Sequence, residues 1–322
     1  MRGSSALAAA EVGQWFGQNA RSLRFAQDAS LGRGLFSSAW EKFRVFADDI
    51  FVLRGTFLPT LEAMSAAIEF RNVSFKVERG RRLLDDISFA VEEGTTTAVL
   101  GRSGSGKTTL LRTVNRMIEP NAGEVLLDGE NVRGRDRIAL RRNIGYVIQE
   151  TGLFPHMTVE RNVGLVLEAE EIGRRERELH SQDLLNAVGL EARTFGPRYP
   201  FQLSGGQRQR VGLARALAAE PPVLLMDEPF GALDPLTRAE MQDMLRELMA
   251  RLKKTVLLVT HDLDEALYLG DRIVMLHEGR LVADLRPEEF LRSTQPEIEA
   301  YVRSFHRGEE SAAPNAVGGK RA

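Results

Sequence analysis

The sequence predicts an α/β domain: a mainly parallel sheet with helices on both faces, interrupted by an inserted helical subdomain. Three observations predict it. Short apolar, β-branched runs alternate with helical stretches from Ile68 onward. One of those runs, Thr97–Leu100, leads into a glycine-rich turn and then a helical stretch from Lys107 to about Val114. The alternation breaks once, over a polar, charge-rich helical stretch at 151–203, and then resumes.

Taken in order, short strands are expected at Ile68–Val73, Ile87–Val91, Thr97–Leu100, Glu124–Leu127 and Ile144–Ile148. The inserted block follows, with "EAEEIGRRERELHSQDLLNAVGL" as its main helical stretch. Val223–Met226 is a continuous apolar run and reads as a fully buried strand. A helix over Thr237–Leu252, a strand over Thr255–Val259, a helix beginning at His261 and a strand over Ile273–Leu276 complete the alternation. Residues 65–290 form the predicted domain. Residues 291–322 are expected to hold a short helix and a polar tail ending in "GEESAAPNAVGGKRA". Residues 1–64 contain no motif. Their stretch "LFSSAWEKFRVFADDIFVL" places Phe36, Trp40, Phe43 and Phe46 near helical spacing, and Met64 reads like a natural start. An upstream translation artefact and a loose extension both fit.

Composition removes several classes. The chain has 322 residues, 43% of them hydrophobic and 27% charged, as in ordinary globular domains. A net charge of −2 gives no global basic field, so no nucleic-acid partner is expected. Without cysteine there are no disulfides and no thiolate metal sites. No apolar run reaches the length of about 18 residues that a membrane span needs. The apolar stretch Ala6–Ala10 stops at Glu11, short for the core of a secretory signal.

The chemistry begins at "GRSGSGKTT". Gly101, Arg102, Ser103, Gly104, Ser105, Gly106, Lys107, Thr108 and Thr109 contain G-x-x-x-x-G-K-[ST] in full, between a strand and a helix. A triphosphate concentrates negative charge, and bare backbone N–H groups surround it only where side chains are missing. Gly101, Gly104 and Gly106 supply that access. The following helix aims its N-terminus at the anion. Lys107 is expected at the β- and γ-phosphates and the Thr108 hydroxyl on Mg²⁺, so ATP and Mg²⁺ are the expected cofactors.

Further pieces converge on the same edge. The strand of "PVLLMDEP" delivers Asp227, suited to Mg²⁺ through water, and Glu228, placed to polarise an attacking water. Gln149 ends its strand where an amide oxygen meets both Mg²⁺ and that water. His261 leaves its strand at the same edge, where a ring hydrogen bond favours the transition state. In "LSGGQ", Ser204 caps a helix whose first turn carries Gly205, Gly206 and Gln207, a second anion-binding helix end. One nucleotide needs only one cradle, so this end is expected to face the nucleotide of another copy. Asp234, in "ALD", lies just past Glu228 and within reach of a dimer seam.

With "GRSGSGKTT", "YVIQE", "LSGGQ", "LLMDEP", "ALD" and "THD" in this order, the chain resembles the ATP-binding cassette subunit of ABC transporters over about residues 66 to 290. The resemblance implies a P-loop NTPase fold with an N-terminal antiparallel β portion. It also implies a head-to-tail homodimer that sandwiches two ATP molecules and drives integral-membrane permease subunits. The subunit would lie at the cytoplasmic face of the membrane, with a substrate-binding protein as an indirect partner. The family usually stacks adenine on an aromatic residue, where this chain has Val77; Phe75, two residues earlier, faces the same side of an extended segment. The loop "RRNIGYVIQETGLFPHMTVERNV" resembles subunits for osmoprotectant uptake (glycine betaine, carnitine, choline), and "LFPHMTV" is also similar to importers of amino acids, polyamines and sulfate. By the same analogy Phe154, Pro155 and His156 dock a short helix of the permease. Many osmoprotectant ATPases carry a paired regulatory domain, whereas 37 residues follow Leu285 (322 − 285), fewer than a domain needs. A soluble ABC ATPase of DNA repair or translation is the alternative from another class.

Overall fold

The computed structural model describes residues 66–77, 80–149 and 151–312, with side chains as far as 305. The readings made for residues 1–64 and for the end of the C-terminal tail lie outside the described residues. An antiparallel sheet comes first, from β1 (Ala66–Lys76), β2 (Arg82–Glu92), β4 (Ala122–Leu127) and β5 (Glu130–Asn131), in the order β2-β1-β4-β5. The second sheet has the order β10-β9-β3-β8-β7-β6, built from β3 (Thr96–Leu100), β6 (Ile144–Val147), β7 (Val223–Asp227), β8 (Thr255–Thr260), β9 (Arg272–His277) and β10 (Arg280–Leu285). Its strands pair in parallel from β9 to β6, and β10 closes the edge antiparallel to β9.

Helix α1 (Lys107–Val114) lies between the two sheets. Its Leu110, Leu111 and Val114 share one core with Ile68 and Phe70 of the first sheet and Leu225 and Val259 of the second. Covered on both faces, β7 and β8 are buried at every position, the physical reason for their unbroken apolar runs. Helix α2 (Arg137–Arg142), capped by Asp136, precedes β6.

The inserted block consists of α3 (Val159–Ala169), α4 (Arg174–Ala187) and the short α5 (Ala192–Phe195). It packs on α6 (Gly205–Leu217), and its Val163, Leu185 and Val188 share a core with Val211, Leu224 and Leu258. The long helical stretch expected here is broken at residues 170–173, where Glu171 turns left-handed at φ 61°. Beyond β7 come α7 (Pro235–Leu252), capped by Asp234, and α8 (Leu263–Leu269), capped by Asp262. At the C-terminus, α9 (Pro287–Arg292) and α10 (Pro296–Ala312) pack on β3 and β9.

Several expectations are corrected. The helix after β8 begins at Leu263, so His261 stands in the connecting loop. Strand β6 ends at Val147, leaving Gln149 in a bend. Strand β10 and helices α2 and α9 had no counterpart in the sequence reading, and α10 continues to Ala312, into the segment expected as a tail. Its first part is anchored by an apolar face: Ile298 and Tyr301 are buried, with Val302 and Phe305 beside them.

Candidate functional site

The C-terminal ends of β3, β7 and β8 open on one edge, where the loop 101–106, Asp227–Glu228 and His261 meet. The loop's glycines serve different ends. Gly104 has φ 81°, and a Cβ there meets nothing within 4 Å, so its backbone faces open space. Gly101 is glycine for contact: a Cβ there falls 2.4 Å from the Leu276 carbonyl oxygen. Gly106, at φ 103°, caps α1 and lies against the Leu83 carbonyl of β2.

Lys107 is 4% exposed. Its Nζ donates to the carbonyls of Gly101 (2.8 Å) and Arg102 (3.1 Å) and stands 4.0 Å from Glu228 Oε1. Burial lowers the lysine's pKa, and the nearby Glu228 and Asp227 oppose that. Ser105 carries a buried Oγ with no hydrogen-bond partner, an orphaned donor in a loop of bare amides. An anion accepting from that hydroxyl and from the free N–H groups fits this cradle.

Across from the loop, Thr108 Oγ1 donates to Asp227 Oδ1 at 2.7 Å. Asp227 is nearly fully buried, which raises its pKa; the Thr108 bond and Arg112, 3.8 Å away, pull it back. A hydroxyl and a carboxylate, with the Gln149 amide nearby, make an incomplete oxygen set, of the kind suited to Mg²⁺ shared with phosphate oxygens. Among the described residues no cluster of three His, Cys, Asp or Glu side chains forms a self-sufficient metal cage.

Glu228 is a non-glycine residue in the left-handed region, at φ 45°. This turn carries its carboxylate off the line of β7. Oε2 then lies 3.2 Å from His261 Nδ1 and accepts from Gln149 Nε2 at 3.3 Å. The acid, the amide and the imidazole therefore meet, beside Lys107. Glu265 lies behind His261 and accepts from Thr260 Oγ1 at 2.6 Å; burial pushes its carboxyl up to about 7. Arg238 bonds to Asp262 at 3.1 Å.

Ser204–Gln207 are not brought to this point. Ser204 caps α6 in a reciprocal box with Gln207, by bonds of 3.3 and 3.0 Å. No described hydrogen bond or ion pair joins them to the loop 101–106. Their neighbours are the "ALD" turn and α7: a Cβ on Gly205 meets Leu233, and one on Gly206 falls 2.4 Å from Thr237 Cγ2. Asp234 accepts from Thr237 N at 3.1 Å, and that bonding lowers its pKa. Phe75 packs on the core between the sheets, paired with Leu84, while Val77 sits half-buried in the turn toward β2, accepting from Gly80 N. Both belong to the hairpin whose Leu83 and Leu84 touch Gly106.

Sequence reasoning missed Arg112 and Arg238. It also missed Arg215, whose guanidinium donates to the carbonyls of Thr151 and Gly152, both at 2.8 Å. Asn162, fully buried on α3, bonds both ways with the Phe154 backbone. Arginines on helices are common, and the partners of Arg112, Arg238 and Arg215 lie far along the chain, beyond what spacing reveals; Asn162 reaches back only eight residues, but to a backbone that no residue type marks.

Known proteins share this arrangement. A family model described as ABC transporter matches residues 84–231. The osmoprotectant import ATP-binding protein OsmV of Salmonella typhimurium is 47% identical over 233 residues, 72% of this chain and 60% of its own length. The chain thus spans under two thirds of OsmV. The glycine betaine uptake system ATP-binding protein YehX of Escherichia coli is 43% identical over 238 residues, covering 74% of this chain and 76% of YehX. Among solved structures, the ATP-binding cassette MJ0796, a dimer in a post-hydrolysis state bound to ADP and Pi, superposes with a TM-score of 0.62 at 34% identity, over 68% of this chain and 98% of that one. With its sheets, inserted helices and phosphate loop arranged as described, the chain belongs to the ABC transporter family.

Proposed function

We propose that this chain binds and hydrolyses ATP as the cassette subunit of an ABC importer, and that the importer takes up quaternary amines such as glycine betaine, carnitine or choline. One observation carries the ATPase reading: Gln149 Nε2 and His261 Nδ1 both lie within 3.3 Å of Glu228 Oε2, beside the buried Lys107.

Each residue acts by its position. The N–H groups of the loop other than that of Ser105, which donates to the Arg102 carbonyl, together with the Ser105 hydroxyl and the α1 N-terminus, bind the phosphates. Lys107, already desolvated, exchanges its two carbonyl partners for phosphate oxygens. Thr108, Asp227 and Gln149 would hold Mg²⁺. Bound Mg²⁺ supplies positive charge against the triphosphate. Glu228 orients the attacking water and accepts its proton. His261, its Nδ1 facing Glu228, stands where a hydrogen bond from its ring to the γ-phosphate favours the transition state. Val77, half-buried in the turn toward β2, offers the adenine an apolar wall.

No described hydrogen bond or ion pair joins Ser204–Gln207 to their own chain's loop, which supports a role at the nucleotide of a second copy, with Asp234 at the seam. The relatives named above, an osmoprotectant importer and a glycine betaine uptake system, support the cargo. By that reading the subunit attaches peripherally to permeases at the cytoplasmic face, fed by a substrate-binding protein.

The test is ATPase activity of the complex reconstituted with its permease and binding protein. Glycine betaine, carnitine or choline should raise it. Stimulation by an amino acid or an anion instead would overturn the cargo while leaving the ATPase reading intact.

A further inference from the structure

Helix α10 brings one polar group to the site from the far end of the chain. Tyr301 is 6% exposed, its ring packed with Leu100 of β3, Ala266 of α8 and Met275 of β9. A phenol sunk in such a cluster needs a partner for its O–H. Its partner is the main-chain carbonyl of His261, at 2.6 Å. Burial, reinforced by the negative Asp262, pushes the phenol up to about 12, so it keeps its proton and donates.

His261 is therefore held at two points. Its ring nitrogen faces Glu228 at 3.2 Å, and its carbonyl accepts from Tyr301. The next residue is also pinned, because Asp262 N donates to Thr260 Oγ1 at 3.0 Å. Fixing the peptide oxygen of His261 fixes ψ there, and with it the direction in which the imidazole leaves the backbone. The imidazole side chain is itself 57% exposed, so packing alone does not hold it.

We propose that Tyr301 is a positioning residue for ATP hydrolysis: its hydroxyl, delivered by the C-terminal helix, fixes the His261 peptide so that the imidazole stays on Glu228. This rests on the role given to His261 above. It makes α10 a structural part of the hydrolytic site.

Tyr301→Phe in the full chain removes only the hydroxyl and leaves the packed ring. Two measurements are made well below the melting midpoint of the less stable protein. The first needs no turnover: the rate at which diethyl pyrocarbonate modifies each histidine. Loss of one hydrogen bond frees the loop, and labelling of His261 should rise about three- to tenfold. His156, exposed in the turn before α3, serves as the internal reference and should not change. The second is kinetic. kcat should fall about three- to tenfold while KM for ATP stays within about twofold. In a His261→Ala background, Tyr301→Phe should cost nothing further, because Tyr301 acts only through His261. Unchanged labelling of His261 overturns the proposal, as does unchanged kcat, or the same loss of kcat in both backgrounds. A wild-type complex without ATPase activity would instead overturn the proposed function, while the labelling would still decide whether Tyr301 anchors the loop.

Discussion

At the scale of single residues, Lys107 and Glu228 occupy neighbouring positions with separable tasks. Lys107 has two carbonyl partners, which in the proposed reading phosphate oxygens replace, so that it acts on the bound ground state. Glu228 faces Gln149 and His261, and in the proposed reading it acts on the water. Lys107→Ala should abolish ATP binding. Glu228→Gln should keep binding and lower turnover by about 10²–10⁴; equilibrium binding of a fluorescent ATP analogue and phosphate release separate the two. Glu265 gives a pH prediction. Its carboxyl titrates at about 7 in the folded chain against an ordinary 4.5, so the folded state holds that proton to higher pH than the unfolded state does. The contribution is full below about pH 4.5, falls as pH rises to about 7, and is flat above. Glu265→Gln should remove that slope, which shows as a difference between the pH dependences of the urea midpoints of variant and wild type. Parallel curves would mean that Glu265 does not titrate in this window.

At the scale of elements, α6 and α7 are joined by a glycine rather than by a side chain. Gly206 lies in the first turn of α6, and a Cβ there meets the stiff, β-branched Thr237 at 2.4 Å. Gly206→Ala should cost about 1–3 kcal/mol of overpacking, set against about 1 kcal/mol of helix propensity gained. Adding Thr237→Ser removes the methyl group in question, and the double variant should regain wild-type stability or exceed it in chemical denaturation. If the double variant is no more stable than the single, the contact between the two helices is not what requires glycine. A second junction is formed by Arg215 of α6, which grips the carbonyls of Thr151 and Gly152, just after Gln149. Asn162 of α3 grips the turn at Phe154. The segment between Gln149 and α3 is thus tied to α6, whose first turn is "SGGQ".

At the scale of the whole molecule, these ties form a route between the helical block and the site. Phe154 is 40% exposed, with the His156 ring set edge-on to it at 6.0 Å. Phe154→Asp with His156→Glu should abolish transport in reconstituted vesicles and leave the basal ATPase of the isolated subunit intact, since neither residue touches the site. Transport persisting in that variant would remove the coupling role of this turn. The separation of Ser204 from its own phosphate loop leads to a second expectation. The chain should be monomeric without nucleotide and dimeric with ATP when Glu228→Gln blocks hydrolysis, as read by sedimentation velocity. A monomer under both conditions would count against a shared site.

What the sequence determined by itself was local: the phosphate loop and its helix, the apolar strand that ends in Asp227–Glu228, the cap at Ser204, and the helical block. Each is a short run whose residue types and spacing already contain the physics, whether bare amides for an anion, unbroken apolar runs for a strand covered on both faces, or a hydroxyl ahead of a helix. Where an element ended was less legible, because the stop depended on contacts. His261 stands in a loop because Asp262, not His261, caps α8. The tertiary structure alone decided the rest. It turned Glu228 left-handed onto His261 and set the Gly206 backbone against Thr237. It also carried Tyr301 of the C-terminal helix back to the His261 carbonyl. The partner in that last contact is a peptide oxygen, which every residue carries, so no side chain in the sequence marks it; only the packing of α10 against β3 and β9 selects it.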